Sequence, residues 1–232
     1  MLWVLSKKYG VIKLRKKTRT LLIGGTQTAS GKSLLTLAFA NVLRDRGVSV
    51  TIVHCDYETV TWTRVSPNKR QHQWQTELES PEQLENFWLD LQFIKTDYLL
   101  IDLASSGPRH ANYTWLLNQC WLPLADEVIL TYSAKSDLSQ QLFEDLGTLQ
   151  FSMEYTNTHP TIYTVFNDCP SPAAVKQVLP AKELVPFHRE FQFQYSEFAA
   201  LDLQPLGTLA DARQNPGRVI DDVEHFLDKL VA

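Results

Sequence analysis

Residues 24–33 read GGTQTASGKS, and the stretch ends in Gly31-Lys32-Ser33. These residue types in this order suit the binding of a nucleoside polyphosphate. A glycine-rich backbone can curl so that successive N–H groups point inward at phosphate oxygens. Lys32 would reach the β- and γ-phosphates as a point charge. Ser33 would offer a hydroxyl to Mg²⁺, at the start of a helix whose dipole favours anions. The general pattern GxxxxGK[ST] wants glycine at position 26, where Thr26 stands, with Gly24 and Gly25 just before it. Nucleotide contacts are expected from Gly25, Thr26, Gln27, Thr28, Ala29, Ser30, Gly31, Lys32, Ser33 and Leu34. A chance Gly-Lys-Ser at a helix start is the competing reading. The clear strand before it and the clear helix after it weigh against chance.

The elements that must position this loop alternate between strand and helix. LLIGG (21–25) is an apolar run that ends in glycines. The next stretch, from Ser33 to Gly47, is densely apolar, turns polar at Arg44, and has Gly47 as a natural C′ residue. VSVTIVH (48–54) predicts a second strand. A helix with Ser80 as N-cap and Pro81 at its first position follows, with Leu84, Phe87, Trp88 and Leu91 on one face. Strands are predicted at DYLLIDL (97–103), DEVILTYS (126–133) and TIYTVFND (161–168). Leu138, Leu142, Leu146 and Leu149 recur at helical spacing between the last two. A final helix is expected at about 217–231, burying Val219, Val223, Phe226, Leu227 and Leu230. Such alternation implies an α/β fold with a mostly parallel sheet covered by helices on both faces. Ligands in such sheets sit at the carboxyl ends of the strands. The stretch from Thr59 to Glu79 is polar and is expected to be a long functional loop. Its residues 62–74 interleave Trp62, Arg64, Lys69, Arg70, His72 and Trp74 in a way that suits nucleic-acid stacking, although a solvated loop is the plainer reading.

At these motifs the chain resembles the deviant-Walker class of P-loop ATPases that includes the ParA/MinD partition and positioning proteins. GTQTASGKS also resembles the GT-x-T-x-x-GK[ST] loop of dethiobiotin synthetase. DYLLIDLASSG (97–107) resembles the ParA-like DYIIIDTPPG segment, and ADEVILTYSAKSDLSQQ (125–141) resembles the strand and helix that follow it there. HCDYE (54–58) stands where that family has Asp-x-Asp. The resemblance implies a three-layer P-loop NTPase domain over residues 20–232, preceded by a basic arm or hairpin at 1–19. Two departures stand out. The family's hallmark lysine, which reaches the partner's phosphates across a sandwich dimer, falls on Gln27, and Gln27 cannot neutralise charge. The synthetase's lysine-containing motif after strand two is absent from VHCDYETVTW, and Asp-Leu-Ala-Ser-Ser-Gly replaces its glycine-rich segment, so biotin chemistry is disfavoured.

The resemblance also assigns roles. Asp102 ends an apolar strand, where an unpaired carboxylate is costly. Ordering Mg²⁺ through a water is the family's reason for that acid, and capping the following segment is the alternative. Asp56 would orient the attacking water or contact Mg²⁺, with Glu58 as the alternative and a plain turn residue as the bland reading. Ser105, Ser106 and Gly107 would sense the γ-phosphate. Asn167 and Asp168 would lie near the base, with Pro205, Leu206 and Gly207 opposite. The Asn-Lys-x-Asp guanine motif is absent there, which favours ATP/ADP over guanine nucleotides. The catalytic set is thus Lys32, Asp56 and Asp102, and the metal set is Ser33, Asp56 and Asp102.

Composition bounds the rest. The 232 residues are enough for one sizeable core. No apolar run reaches membrane-span length, and a cytosolic location is expected. Cys55, Cys120 and Cys169 form no CxxC pair, so neither a disulfide framework nor a zinc or iron–sulfur site is indicated. Lys7, Lys8, Lys13, Arg15, Lys16, Lys17 and Arg19 fall in the first twenty residues, which hold no acid. Subtracting those seven from 22 leaves 15 basic against 26 acidic residues, so the body carries −11. A basic arm on an acidic body can meet nucleic acid, a lipid surface or an acidic partner, or it can be a solvated hairpin. From Asn167 onward six Lys/Arg face ten Asp/Glu, so DNA would be held by the N-terminal arm or by residues 62–74. Asp221, Asp222, Glu224 and Asp228 make the last helix a poor membrane anchor. The function expected is a slow ATPase that switches partner interactions in partition or intracellular positioning. Its partners would be a second copy, joined by ATP, and a protein partner or cargo adaptor. A nucleotide-sensing module with little hydrolysis and a synthetase-like ATP-dependent ligase are the alternatives.

Overall fold

A computed structural model of the chain describes residues 18–28, 30–55, 59–66, 69–77, 81–103, 118, 121–133, 139–167, 188–192 and 223–228. The strands are β1 (Arg19–Gly24), β2 (Val50–Cys55), β3 (Thr59–Ser66), β4 (Lys69–Glu77), β5 (Tyr98–Leu103), β6 (Glu127–Ser133), β7 (Thr161–Asn167) and β8 (His188–Gln192). The helices are α1 (Lys32–Asp45), α2 (Pro81–Gln92) and α3 (Ser139–Thr156), and residues 223–228 are also helical. The strands form one sheet in the order β4-β3-β2-β5-β1-β6-β7-β8. From β2 to β8 the neighbours run parallel, and β3 and β4 add an antiparallel hairpin outside β2.

The parallel part is covered on both faces, as its unbroken apolar strands require. On one side Leu22, Val53, Ile101 and Leu130 of the sheet pack with Phe87 and Leu91 of α2 and with Leu142, Leu146 and Leu149 of α3. On the other, Ile23, Ile52, Leu100 and Ile129 pack with Leu35, Phe39 and Val42 of α1 and with Val223, Phe226 and Leu227. Phe226 stacks on Phe39, ring centres 5.4 Å apart, and meets Tyr163 edge-on at 5.2 Å. Helix α1 is therefore enclosed nearly all round, which explains its dense apolar sequence. Gly47 ends it at φ +79, donating to Arg44 O, while Val48 N–H reaches Leu43 O.

The N-terminal edge of the sheet is held by polar clamps. Arg19 on β1 pairs with the buried Glu127 on β6, its Nε lying 2.9 Å from Oε1. Burial pushes the Glu127 carboxyl up, and Arg19 opposes that. Thr20 and Asp126 exchange two further bonds, Thr20 N–H to Asp126 Oδ2 at 2.8 Å and Asp126 N–H to Thr20 O at 3.0 Å.

Several expectations change. The stretch from Thr59 to Glu79 is no long loop: β3 and β4 occupy most of it, in a register that sets Trp62 opposite Trp74 and Arg64 opposite His72. The alternation of Thr59, Thr61 and Thr63 with Val60 and Trp62 is a strand pattern that the charges further along obscure. Helix α3 continues through Gly147 and past Leu149 to Thr156. The strand predicted from Val48 begins at Val50, and β8 had no prediction at all. Residues 1–17, Ser80, Leu138, Val219 and Leu230 lie outside the described residues. Among the described residues no helix is long and apolar enough to cross a membrane.

Candidate nucleotide-binding site

The parallel register brings four strand ends together. Asp102 of β5 lies beside Ile23 of β1 on one flank and His54 of β2 on the other, and Gly24 of β1 lies beside Leu130 of β6. The segment from Gly25 to Gly31 leaves this edge between β1 and α1. Two glycines shape it. Gly25 has φ +113, and a Cβ there would come within 3.1 Å of Thr131 O. Gly31 has φ +90 as the N-cap of α1, and its carbonyl accepts the first helical bond, from Leu35 N–H at 2.8 Å. Both conformations are ones that residues with a side chain rarely adopt. Thr26 is thus no break in the loop, because the turn is made one residue earlier, at Gly25.

Lys32 begins α1 and is 5 % exposed. Its Nζ donates to Gln27 O at 2.5 Å and to Ser30 Oγ at 3.1 Å, so the ammonium sits under the curl of the loop. Burial pushes its pKa down from 10.5 to about 8, while Asp102 and Asp145 pull it up. Gln27 is also buried, at 9 % exposure, and Ser33 is half-buried at the first turn of α1.

Asp102 is buried, and its Oδ2 lies 2.8 Å from His54 Nδ1. The strand-end acid therefore has a partner of its own in the next strand. A second carboxylate, with no prediction from the sequence, holds the opposite side of the loop. Asp145 of α3 is buried, and its Oδ2 accepts from Thr26 N–H at 3.0 Å and from Tyr132 O–H at 2.6 Å. Gln141, one turn earlier, donates to Thr26 Oγ1 at 3.0 Å. Helix α3 is thus fastened to the first turn of the loop. A cavity of about 20 Å³ lies behind this contact, lined by Gly24, Gly25, Thr26, Leu103, Asp145 and Leu149, which is room for about one water.

Of the predicted site residues, the structure gathers Gly25, Thr26, Gln27, Thr28, Ser30, Gly31, Lys32, Ser33, Leu34 and Asp102 at this edge. Asn167 ends β7 on the same edge, two strands from β1, opposite Ser133 of β6. Ala29, Asp56, Glu58, Ser105, Ser106, Gly107, Asp168, Pro205, Leu206 and Gly207 lie outside the described residues. The structure adds His54, Tyr132, Gln141 and Asp145. Asp145 left a trace in the sequence: it sits between Leu142 and Leu149 on the apolar stripe of its helix, where a charge needs a partner.

A central parallel strand, a glycine-turned loop, a lysine at the start of the next helix and a flanking strand that ends in an acid define an α/β P-loop NTPase fold. Solved structures share it over nearly the whole chain. A plasmid partition protein from Borrelia burgdorferi, bound to AMPPNP, superposes with a TM-score of 0.61 at 14% identity, covering 93% of this chain and 99% of its own. Apo McdA of Cyanothece superposes with a TM-score of 0.61 at 12% identity, covering 90% and 99%. The ParA of pNOB8 bound to nonspecific DNA superposes with a TM-score of 0.54 at 11% identity, covering 91% and 99%. No protein-family model matches the chain, and no curated protein matches it.

Proposed function

We propose that this chain is a ParA/MinD-like P-loop ATPase that binds Mg·ATP and hydrolyses it slowly, using the two states to switch partner interactions in partition or intracellular positioning. The observation that carries the reading is Lys32, a buried ammonium resting on a carbonyl and a hydroxyl beneath a loop opened by two positive-φ glycines. That setting fits a polyphosphate, which would take over the contacts of Lys32 and accept from the loop's N–H groups. Ser33 and Asp102 are oxygen donors of the kind Mg²⁺ takes, and Asp56 completes the set on sequence grounds. Bound Mg²⁺ would neutralise phosphate charge. The chain's own part is positioning: Lys32 and the loop hold the anion, Asp145 and Gln141 hold the loop, and His54 holds Asp102. The neighbours add support, since one is bound to AMPPNP and another is an ATP complex of McdA.

The test is ATP binding and turnover, with size-exclusion chromatography in the presence and absence of a nonhydrolysable analogue. Slow turnover with an ATP-dependent dimer is expected. Lys32→Ala should abolish binding, and retained binding would show that the site lies elsewhere. Gln27 favours a second reading, a nucleotide-sensing module with little hydrolysis. It is neutral and buried where a charged residue would be needed to reach a partner subunit's phosphates. A tight monomeric complex without turnover would decide for that reading.

A further inference from the structure

Helix α3 buries Leu142, Leu146, Leu149 and Met153 against the sheet and leaves large aromatic side chains on its other side. Phe143 is 55 % exposed, Phe151 68 % and Tyr155 63 %. Their spacings of eight and four residues place them along one side of the helix, and the exposed Gly147 between them has nothing within 4 Å of where a Cβ would stand. The stripe is therefore apolar, with a gap in its middle. Glu144 and Glu154 are exposed beside it, and α3 contains no Lys, Arg or His. Scattered single apolar residues on a surface need no explanation, but three large exposed aromatic side chains along one side of one helix mark a contact.

We propose that residues 1–17 of the same chain cover this stripe. Charge complementarity is the first reason. That segment contains Lys7, Lys8, Lys13, Arg15, Lys16 and Lys17 and no acid, interleaved with Leu2, Trp3, Val4, Leu5, Val11, Ile12 and Leu14. Its apolar residues match Phe143, Phe151 and Tyr155, and its cations match Glu144 and Glu154. An anionic membrane, by contrast, would be repelled by those two acids. Reach is the second reason. The segment joins the described chain at Thr18, on the N-terminal edge of the sheet, where Thr18 Oγ1 donates to Thr96 O. Helix α3 ends on that same edge, because Thr161 of β7 follows it closely and bonds to Asp126, which bonds to Thr20. From β1 to β7 is two strand spacings, about 10 Å. Seventeen residues span up to roughly 55 Å when extended, and α3 is only about 27 Å long.

The test uses the full chain with Phe151→benzoylphenylalanine, a change at an exposed position. Irradiation of a dilute sample should link position 151 to a peptide from residues 1–17, in a product of monomer mass. About 1 M salt should lower the yield severalfold, and so should Lys→Gln and Arg→Gln at positions 7, 8, 13, 15, 16 and 17 together. The same six changes should raise fluorescence of an apolar dye, and Phe143→Ser, Phe151→Ser and Tyr155→Ser together should remove that rise. Links only between two copies, links from 151 to other parts of the chain, or no link from a protein with native circular dichroism would each overturn the proposal. So would a parallel reaction in which a photoreactive group at Trp3 links only to added duplex DNA and never to α3.

Discussion

The lowered pKa of Lys32 would make the proposed nucleotide binding a proton-linked event. Burial holds the free protein's ammonium at about 8. A bound polyphosphate would bring several negative charges to it and return it toward the ordinary 10.5. The size of the effect follows. At about pH 7.5 roughly three quarters of the free molecules carry the charge, and at about pH 9 roughly a tenth do, so ATP affinity should fall about eightfold between them. Titration calorimetry in two buffers of different ionisation enthalpy should find about half a proton taken up per nucleotide at about pH 8. Affinity that is flat across this range, with no buffer dependence of the heat, would refute the reasoning. The nucleotide-free protein carries the same linkage with a defined sign. The folded pKa is depressed, so between about 8 and 10.5 the unfolded chain binds more protons, and stability rises as pH climbs through that window. The full difference, 10.5 less about 8, corresponds to an upper bound of roughly 3 kcal/mol. Lys32→Met should abolish this pH dependence and make the nucleotide-free protein more stable near neutral pH, while destroying binding.

Three other substitutions test the rest of the site. Gly25→Ala forces a side chain into φ +113 and within 3.1 Å of Thr131 O, which should cost about 1–3 kcal/mol and lower Tm by roughly 2–4 °C per kcal/mol; an unchanged Tm would mean the turn is not as described. Asp145→Asn weakens the acceptor shared by Thr26 N–H and Tyr132 O–H, and should cost about 1–3 kcal/mol and speed hydrogen exchange at Thr26; unaltered exchange there would show that the tether is unimportant. Gln27→Lys supplies the missing charge and should strengthen an ATP-dependent dimer in size-exclusion chromatography, whereas identical elution of the variant and the parent protein would remove Gln27 as the determinant.

The fold was legible where the chain obeys local rules. Gly25 and Gly31 stand where the backbone turns left-handed, and Gly47 stands where α1 stops, so the loop and its helix could be placed from sequence. The apolar runs of β1, β5, β6 and β7 reveal buried parallel strands because both of their faces are covered. The hairpin β3–β4 was hidden, since an edge strand needs few apolar residues and its charges resemble those of a loop. The site was legible to the extent that it is continuous in sequence. Lys32 follows from its neighbours, but Asp145 meets Thr26 across 119 positions, and His54 meets Asp102 across 48. Long-range pairs of this kind depend on strand order, which local patterns do not encode.

The aromatic contact between Phe39, Phe226 and Tyr163 has a consequence for synthesis. Helix α1, which carries Lys32, leaves the ribosome well before part of its cover, Val223, Phe226 and Leu227. At a synthesis rate of about 5–20 residues per second, the stretch of roughly 190 residues between Phe39 and Phe226 takes on the order of 10–40 s to make. During that interval the outer side of α1 lacks Val223, Phe226 and Leu227, and one face of the growing sheet stays incompletely sealed. A nascent chain stalled before residue 223 would thus carry an intact phosphate-loop sequence on an unfinished core. Folding of the segment that carries Lys32 would wait on residues translated roughly 190 positions after it.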